Sequence, residues 1–251
     1  MKRVIIYLPL FATLSICGFF LAHGPITQLA HYHDFADQSS IMGLPHAADV
    51  LSNLGFALVA IWGFFKLWPA RTHQHLQAGR HGYCLFLAGL LLTAFGSGFY
   101  HLAPDNARLV WDRLPIALAC AGLLAAVRAE NVPNTRASTD AVLLGIFAIA
   151  SVAWWRITDA HASGDLRPYL LLQGLPLILI PMWQAIYRAP RMDRLAFAGA
   201  LLLYVAAKGA EIMDQQLFAS FGMISGHTLK HLLAAGAACV LMSRLVQRTK
   251  P

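Results

Sequence analysis

A chain of 251 residues that is 58% hydrophobic and only 12% charged, with a mean hydropathy of +0.57, lacks the composition of a soluble globular domain. Its formal net charge of +7 does not point to nucleic acid, because the basic residues form no single patch. The cysteines (Cys17, Cys84, Cys120, Cys239) each lie inside an apolar run without paired spacing, which excludes a disulfide framework or a Cys-based metal knot.

Eight apolar stretches follow one another, at 4–23, 47–68, 83–102, 109–128, 140–157, 168–187, 194–213 and 227–247, each near the ~20 residues a helix needs to cross a bilayer. The predicted fold is therefore all-α and polytopic: a seven-transmembrane-helix bundle plus one extra N-terminal transmembrane helix. In segments, residues 1–25 form that helix, 26–46 an outer polar loop, 47–247 the seven-helix core and 248–251 a cytoplasmic tail. Met1-Lys2-Arg3 before an apolar core also suits a signal peptide, but no small-x-small cleavage site follows, so the stretch reads as an uncleaved helix.

Charge orients the segments. With Lys2 and Arg3 in the cytoplasm, Lys66, Arg71, Arg80, Arg128, Arg136, Arg188, Arg191, Arg194, Arg244, Arg248 and Lys250 fall on the same side, leaving Arg108, Arg156 and Arg167 outside. This asymmetry is what the positive-inside rule gives for eight spans with both termini in the cytoplasm.

Against that frame, one end of the bundle collects unusual residues. His227 and His231, four apart, share one helical face and can reach one metal ion, which makes half of a zinc site. His101 ends a span running outward and is the best third donor, while Asp112 and the His227/His231 pair begin spans running inward. All therefore lie at one outer depth, and the hydropathy and Lys/Arg counting that place them there take no account of histidine. A lone intramembrane histidine is more often a hydrogen-bonded packing residue, and Ser97, one turn before His101, would ordinarily bond back to its own helix. Three histidines at one depth suit a catalytic zinc with an open position for water acidified toward ~7. Asp112 would then move the proton and Ser97 would donate to the developing oxyanion, which is hydrolysis of an amide or ester. Walls of Leu, Phe and Ala make a membrane lipid the natural substrate, with neither nucleic acid nor a protein partner implied.

Other charges have plainer readings. Lys208 and Glu211 can pair along one face, with Asp214 continuing it, and Arg113 and Lys230 suit similar packing roles. Asp34 and Asp37, with Asp49, could supply oxygen ligands to calcium, or the loop is solvated and carries a helix cap. His73 to His81 lies on the opposite side from the histidine site. No EF-hand, internal repeat, phosphate loop or nucleotide fingerprint appears.

Taken together, Asp49-Val50-Leu51-Ser52-Asn53-Leu54, Ser97-x3-His101 with Asp112 eleven residues on, and His227-x3-His231 resemble the alkaline ceramidases, within the wider group that includes the adiponectin and progestin receptor-like membrane proteins. The resemblance covers roughly residues 33–247. It implies zinc on His101, His227 and His231, with Asp112 and Ser97 beside it, and hydrolysis of ceramide to a sphingoid base and a fatty acid. Asp34-Phe35-Ala36-Asp37-Gln38-Ser39 lines up with the acidic stretch that binds calcium in eukaryotic members. Two other functions compete: a receptor of the same wider group whose zinc is mainly structural, and a transporter with Lys208, Glu211 and Asp214 as its charge path.

Overall fold

The computed structural model describes residues 2–249 of the chain; Lys250 of the expected tail lies outside them. In chain order the elements are α1 (Lys2–Ile5), α2 (Leu8–His23), β1 (Ser40–Ile41), β2 (Leu44–Pro45), α3 (Ala47–Ser52), α4 (Leu54–Leu67), α5 (Gln74–Gln77), α6 (Arg80–Leu102), α7 (Asn106–Asn131), α8 (Ala137–Ala160), α9 (Arg167–Ile186), α10 (Arg191–Ile212), α11 (Asp214–Phe221) and α12 (Gly226–Arg248). Among the described residues, seven helical spans are long and apolar enough to cross a membrane: Ala47–Leu67, then α6, α7, α8, α9, α10 and α12. The outward faces agree, with Phe65, Phe95, Leu202 and Ile212 among the exposed large apolar side chains. The protein is a multi-pass helical membrane protein.

The first expected span is shorter than its apolar stretch. Residues 4–23 divide into α1 and the 16-residue α2, because Pro9 cannot donate a backbone hydrogen bond and its ring crowds the preceding turn. Pro9 instead sits in the opening turn of α2, where a missing N–H costs nothing.

Two compact units divide the chain. The first comprises Met1–Leu29, Arg71–Gly89 and Ala117–Arg194. Here α9 packs against both α2 and α8. The buried Asp165 ties these together: its carboxylate accepts from the Ile26 backbone N–H at 3.3 Å, from Trp154 Nε1 at 2.9 Å and from Arg167 Nη2 at 2.8 Å. Burial pushes this carboxyl up, but the Arg167 and Trp154 hydrogen bonds outweigh it and hold it well below the usual carboxylate range.

The second unit comprises Ala30–Ala70, Leu90–Ile116 and Leu195–Pro251, and contains every site residue expected from the sequence. In it α12 packs on α3, α4 and α11. The span Ala47–Leu67 is interrupted at Asn53 for a local reason. Ser52 Oγ and Asn53 Nδ2 both donate to the Asp49 carbonyl, at 2.9 and 2.8 Å, so the Asn53 N–H turns to Val50 O instead. A second interruption separates α10 from α11 at Met213, and the antiparallel pair β1–β2 turns through Met42 and Gly43, both at positive φ.

Candidate metal centre

Helices α6 and α12 meet at their histidines. His101 stands in the last turn of α6, while His227 and His231 stand in the first two turns of α12 on one face. Their ring centroids are 4.7 Å (His101 to His227), 5.1 Å (His101 to His231) and 4.7 Å (His227 to His231) apart. One nitrogen from each lies within 4.8 Å of the others, and all three side chains are at least 95% buried. Among the described residues this is the only group of three or more His, Cys, Asp or Glu with that property.

The donor set fits zinc. His101 Nε2 and His227 Nε2 are 3.2 Å apart, against about 3.3 Å between two ligands of a tetrahedral ion with ~2.0 Å bonds. Two neutral imidazoles that face their ring nitrogens this closely need a shared proton or a cation between them. The third imidazole is set by its neighbours. Ser52 Oγ lies 2.8 Å from His231 Nδ1 and donates to the Asp49 carbonyl, so its lone pair accepts from Nδ1–H and leaves Nε2 of His231 to bind a metal. Losing such a partner of a ligand typically costs ~10–100-fold in metal affinity. Ser52→Ala is accordingly expected to weaken zinc binding by about that factor in a competition titration, with the helical content unchanged.

The head of α12 is held from three sides. Ser225 caps it, its Oγ accepting from the Thr228 N–H at 2.8 Å. Ser225 Oγ and Thr228 Oγ1 in turn donate to Asp49 Oδ1, at 2.9 and 2.5 Å. Asp214 Oδ1 accepts the His227 N–H at 2.7 Å and Asp214 Oδ2 accepts the Ala36 N–H at 2.9 Å. Above the imidazoles lies Phe35, whose ring centroid is 4.3 Å from that of His227 and 4.7 Å from that of His101. His33 anchors this stretch between Tyr100 Oη and Asn106 Oδ1, both at 2.8 Å.

Ser97 and Asp112 meet as well. Both are buried, and the Ser97 hydroxyl donates to the Asp112 carboxylate. The approach of α6 to α7 depends on Gly96, where an added Cβ would lie 1.9 Å from Trp111 O.

The remaining expectations sort differently. Asp34, Asp37 and Asp49 do not gather as a set of cation ligands. Asp34 is exposed and paired with His31 at 2.9 Å, and Asp49 is bound by the hydroxyls of Ser225 and Thr228. Asp37 accepts from the Ser39 N–H and hydroxyl and from the backbone N–H of Ala48 and Asp49, so it caps α3 from a distance. Burial pushes the Asp37 carboxyl up, yet these donors prevail and leave it below its ordinary value. Lys208 and Glu211 pair as expected, at 2.7 Å. Asp214 does not continue their face, since α10 ends at Ile212 and Asp214 turns onto the head of α12. Arg113 lies over the Tyr32 ring, 5.1 Å from its centroid.

Compared with family models and with curated proteins, the chain finds no match to either.

Proposed function

We propose that this protein is a membrane-embedded, zinc-dependent amidohydrolase similar to the alkaline ceramidases, cleaving ceramide or a related N-acyl lipid to an amine, a sphingoid base in the case of ceramide, and a fatty acid. The single observation that carries the proposal is the convergence of three buried imidazoles, from two helices, with their nitrogens within 4.8 Å of one another; Ser97, one helical turn before His101, and its buried partner Asp112 supply the remaining groups the reading needs. His101, His227 and His231 would hold the ion. A zinc ion held there would supply Lewis acidity and would lower the pKa of water from 15.7 toward ~7.

The chain's own residues do the rest. Asp112 takes a proton from the attacking water and returns it to the amide nitrogen as the C–N bond breaks, so that an acid and an amine leave. Ser97 first orients Asp112. As negative charge passes from that carboxylate to the carbonyl oxygen, the Ser97 hydroxyl can follow it, because a hydrogen bond strengthens with the charge on its acceptor. Phe35 excludes bulk water from one side of the imidazoles.

The distribution of Lys and Arg supports the finer topology of this reading: both termini cytoplasmic, α2 and its flanking residues as an additional crossing, and the histidines toward the outer side. Zinc analysis of the purified protein, with mass spectrometry of products from N-acyl and O-acyl lipids before and after chelation, tests the proposal. Asp112→Asn is expected to cut product by ~10²–10⁴-fold while zinc content stays near that of the wild type. An unchanged lipid profile in wild-type and variant alike would favour the receptor reading instead.

A further inference from the structure

Two glycines of α6, just before His101, differ in what surrounds them. An added Cβ at Gly96 would collide with Trp111 O, so that side of the helix is filled by α7. Gly98 is also buried, yet an added Cβ there would meet no atom within 4 Å. Protein interiors are close-packed, and alanine is the better helix former wherever its methyl fits, so room at a buried helical glycine needs a reason.

The order of residues around α6 gives one. At about 100° per residue, His101 lies about 40° round the helix from Ser97, Gly98 about 100°, and the exposed Leu102 and Phe95 about 140° and 160°. Gly96 lies about 100° in the opposite sense, toward α7 and the Asp112 that Ser97 binds. Across this face come Asp112 with Ser97, then the His101 imidazole, then the room at Gly98, then the lipid-facing side. Gly98 and His101 are one turn apart, a spacing of about 5–6 Å between side-chain attachment points. At the helix end Phe35 covers the His101 and His227 rings, its segment held by His33 on Tyr100 and Asn106 and by the Ala36 N–H on Asp214.

Resting on the hydrolase reading, we infer that Gly98 is a specificity-determining residue, over which the acyl chain of the substrate passes from the imidazoles toward the lipid. The direction follows from where the leaving nitrogen must go. Asp112 returns its proton to that nitrogen, so the amine half lies on the α7 side of Ser97 and the carbonyl group beside the imidazoles. The acyl chain continues the other way round α6, where Gly98 has no side chain to obstruct it. A long unbranched chain fits there, and bulk at position 98 excludes it.

N-methyldodecanamide and N-dodecylacetamide each carry an amide and a dodecyl-length chain, on the acyl half of the first and the amine half of the second. The ratio of their kcat/KM values, on zinc-loaded full-length protein in a neutral detergent, reads which half lies at Gly98. Gly98→Leu is expected to lower that ratio ~10-fold or more, the scale of about two methylenes displaced from apolar contact. Gly98→Ala, whose methyl has room, should move it less in the same direction, and decides the matter if the Leu variant does not fold. Gly209→Leu adds the same side chain at an exposed position of α10 and should leave the ratio as it is. An unchanged ratio in the Gly98 variants would overturn the inference, and so would a raised one, which would put the amine half there. Calorimetry with dodecanoate and with dodecylamine on zinc-free protein gives a reading without turnover: Gly98→Leu should weaken dodecanoate ~10-fold relative to dodecylamine. Equal weakening of the two would overturn the inference, while turnover of either amide by the wild type would leave the hydrolase reading in place. If the wild type cleaves neither amide, the hydrolase reading falls, and the two binding constants alone decide whether an acyl chain lies at Gly98.

Discussion

Replacing His101, His227 or His231 singly by Ala is expected to release the metal and abolish hydrolysis, and replacing all three is expected to cost little more than replacing one. The three nitrogens lie within 4.8 Å of each other, so they act as one chelating unit and their losses cannot add. Losing only a hydrogen-bond partner such as Ser52 costs ~10–100-fold in affinity, and losing a ligand costs more, because the two remaining imidazoles no longer form the three-ligand set of a catalytic zinc. Zinc stoichiometry by atomic emission and the shift in melting temperature on chelation provide the measurement. The wild type should lose stability when chelated, since a metal that binds only the folded state stabilises it. Each variant should melt at one temperature with or without chelator. His→Gln variants, which retain more of the side-chain volume, separate metal loss from cavity formation. One zinc per chain in all three variants would place the ion elsewhere and end the proposal.

The histidines were legible because their signals are local or positional. His227 and His231 announce themselves by helical spacing, and His101 and Asp112 by their depth in spans set by hydropathy and charge. What holds them was not legible. Ser52 lies 179 residues before the His231 ring that it orients, and Asp49 is 176 residues from Ser225, separations that no periodicity reports. Ser52 and Asn53 stand out in the sequence only through a family resemblance, and Asp49 otherwise only as a possible calcium ligand, whereas the structure gives the stretch work: Asp49 binds the head of α12, Ser52 sets His231, and Asn53 breaks the span. The same distinction divides the charges. Lys208 and Glu211 are one turn apart and readable, but the bond from Lys230 to the other oxygen of Glu211 crosses between helices. Asp214 leaves the face that its spacing from Lys208 and Glu211 predicts, because α10 ends at Ile212 and no continuous helix carries that spacing past Met213.

A single methyl group at Gly226 is expected to empty the site with every histidine still in place. There an added Cβ would lie 2.0 Å from Ala210 O, 2.7 Å from Asp214 Cα and 2.9 Å from Asp214 N. All three are backbone atoms and cannot swing aside, so the head of α12 must retreat by about 1 Å. That retreat stretches the 2.7 Å bond from the His227 N–H to Asp214 and carries His227 away from His101, which belongs to a different helix. Metal sites tolerate ligand displacements of ~0.2 Å, so Gly226→Ala should lose zinc as completely as a ligand substitution, and overpacking should cost ~1–3 kcal/mol of stability besides. Gly209→Ala supplies the control: it adds the same methyl to the exposed side of α10, with no atom within 4 Å, and should bind zinc normally. If the two variants bind zinc equally well, the head of α12 is not rigidly placed. The approach of His227 to within 3.2 Å of His101 would then be a consequence of metal binding, and the fold would not impose it beforehand.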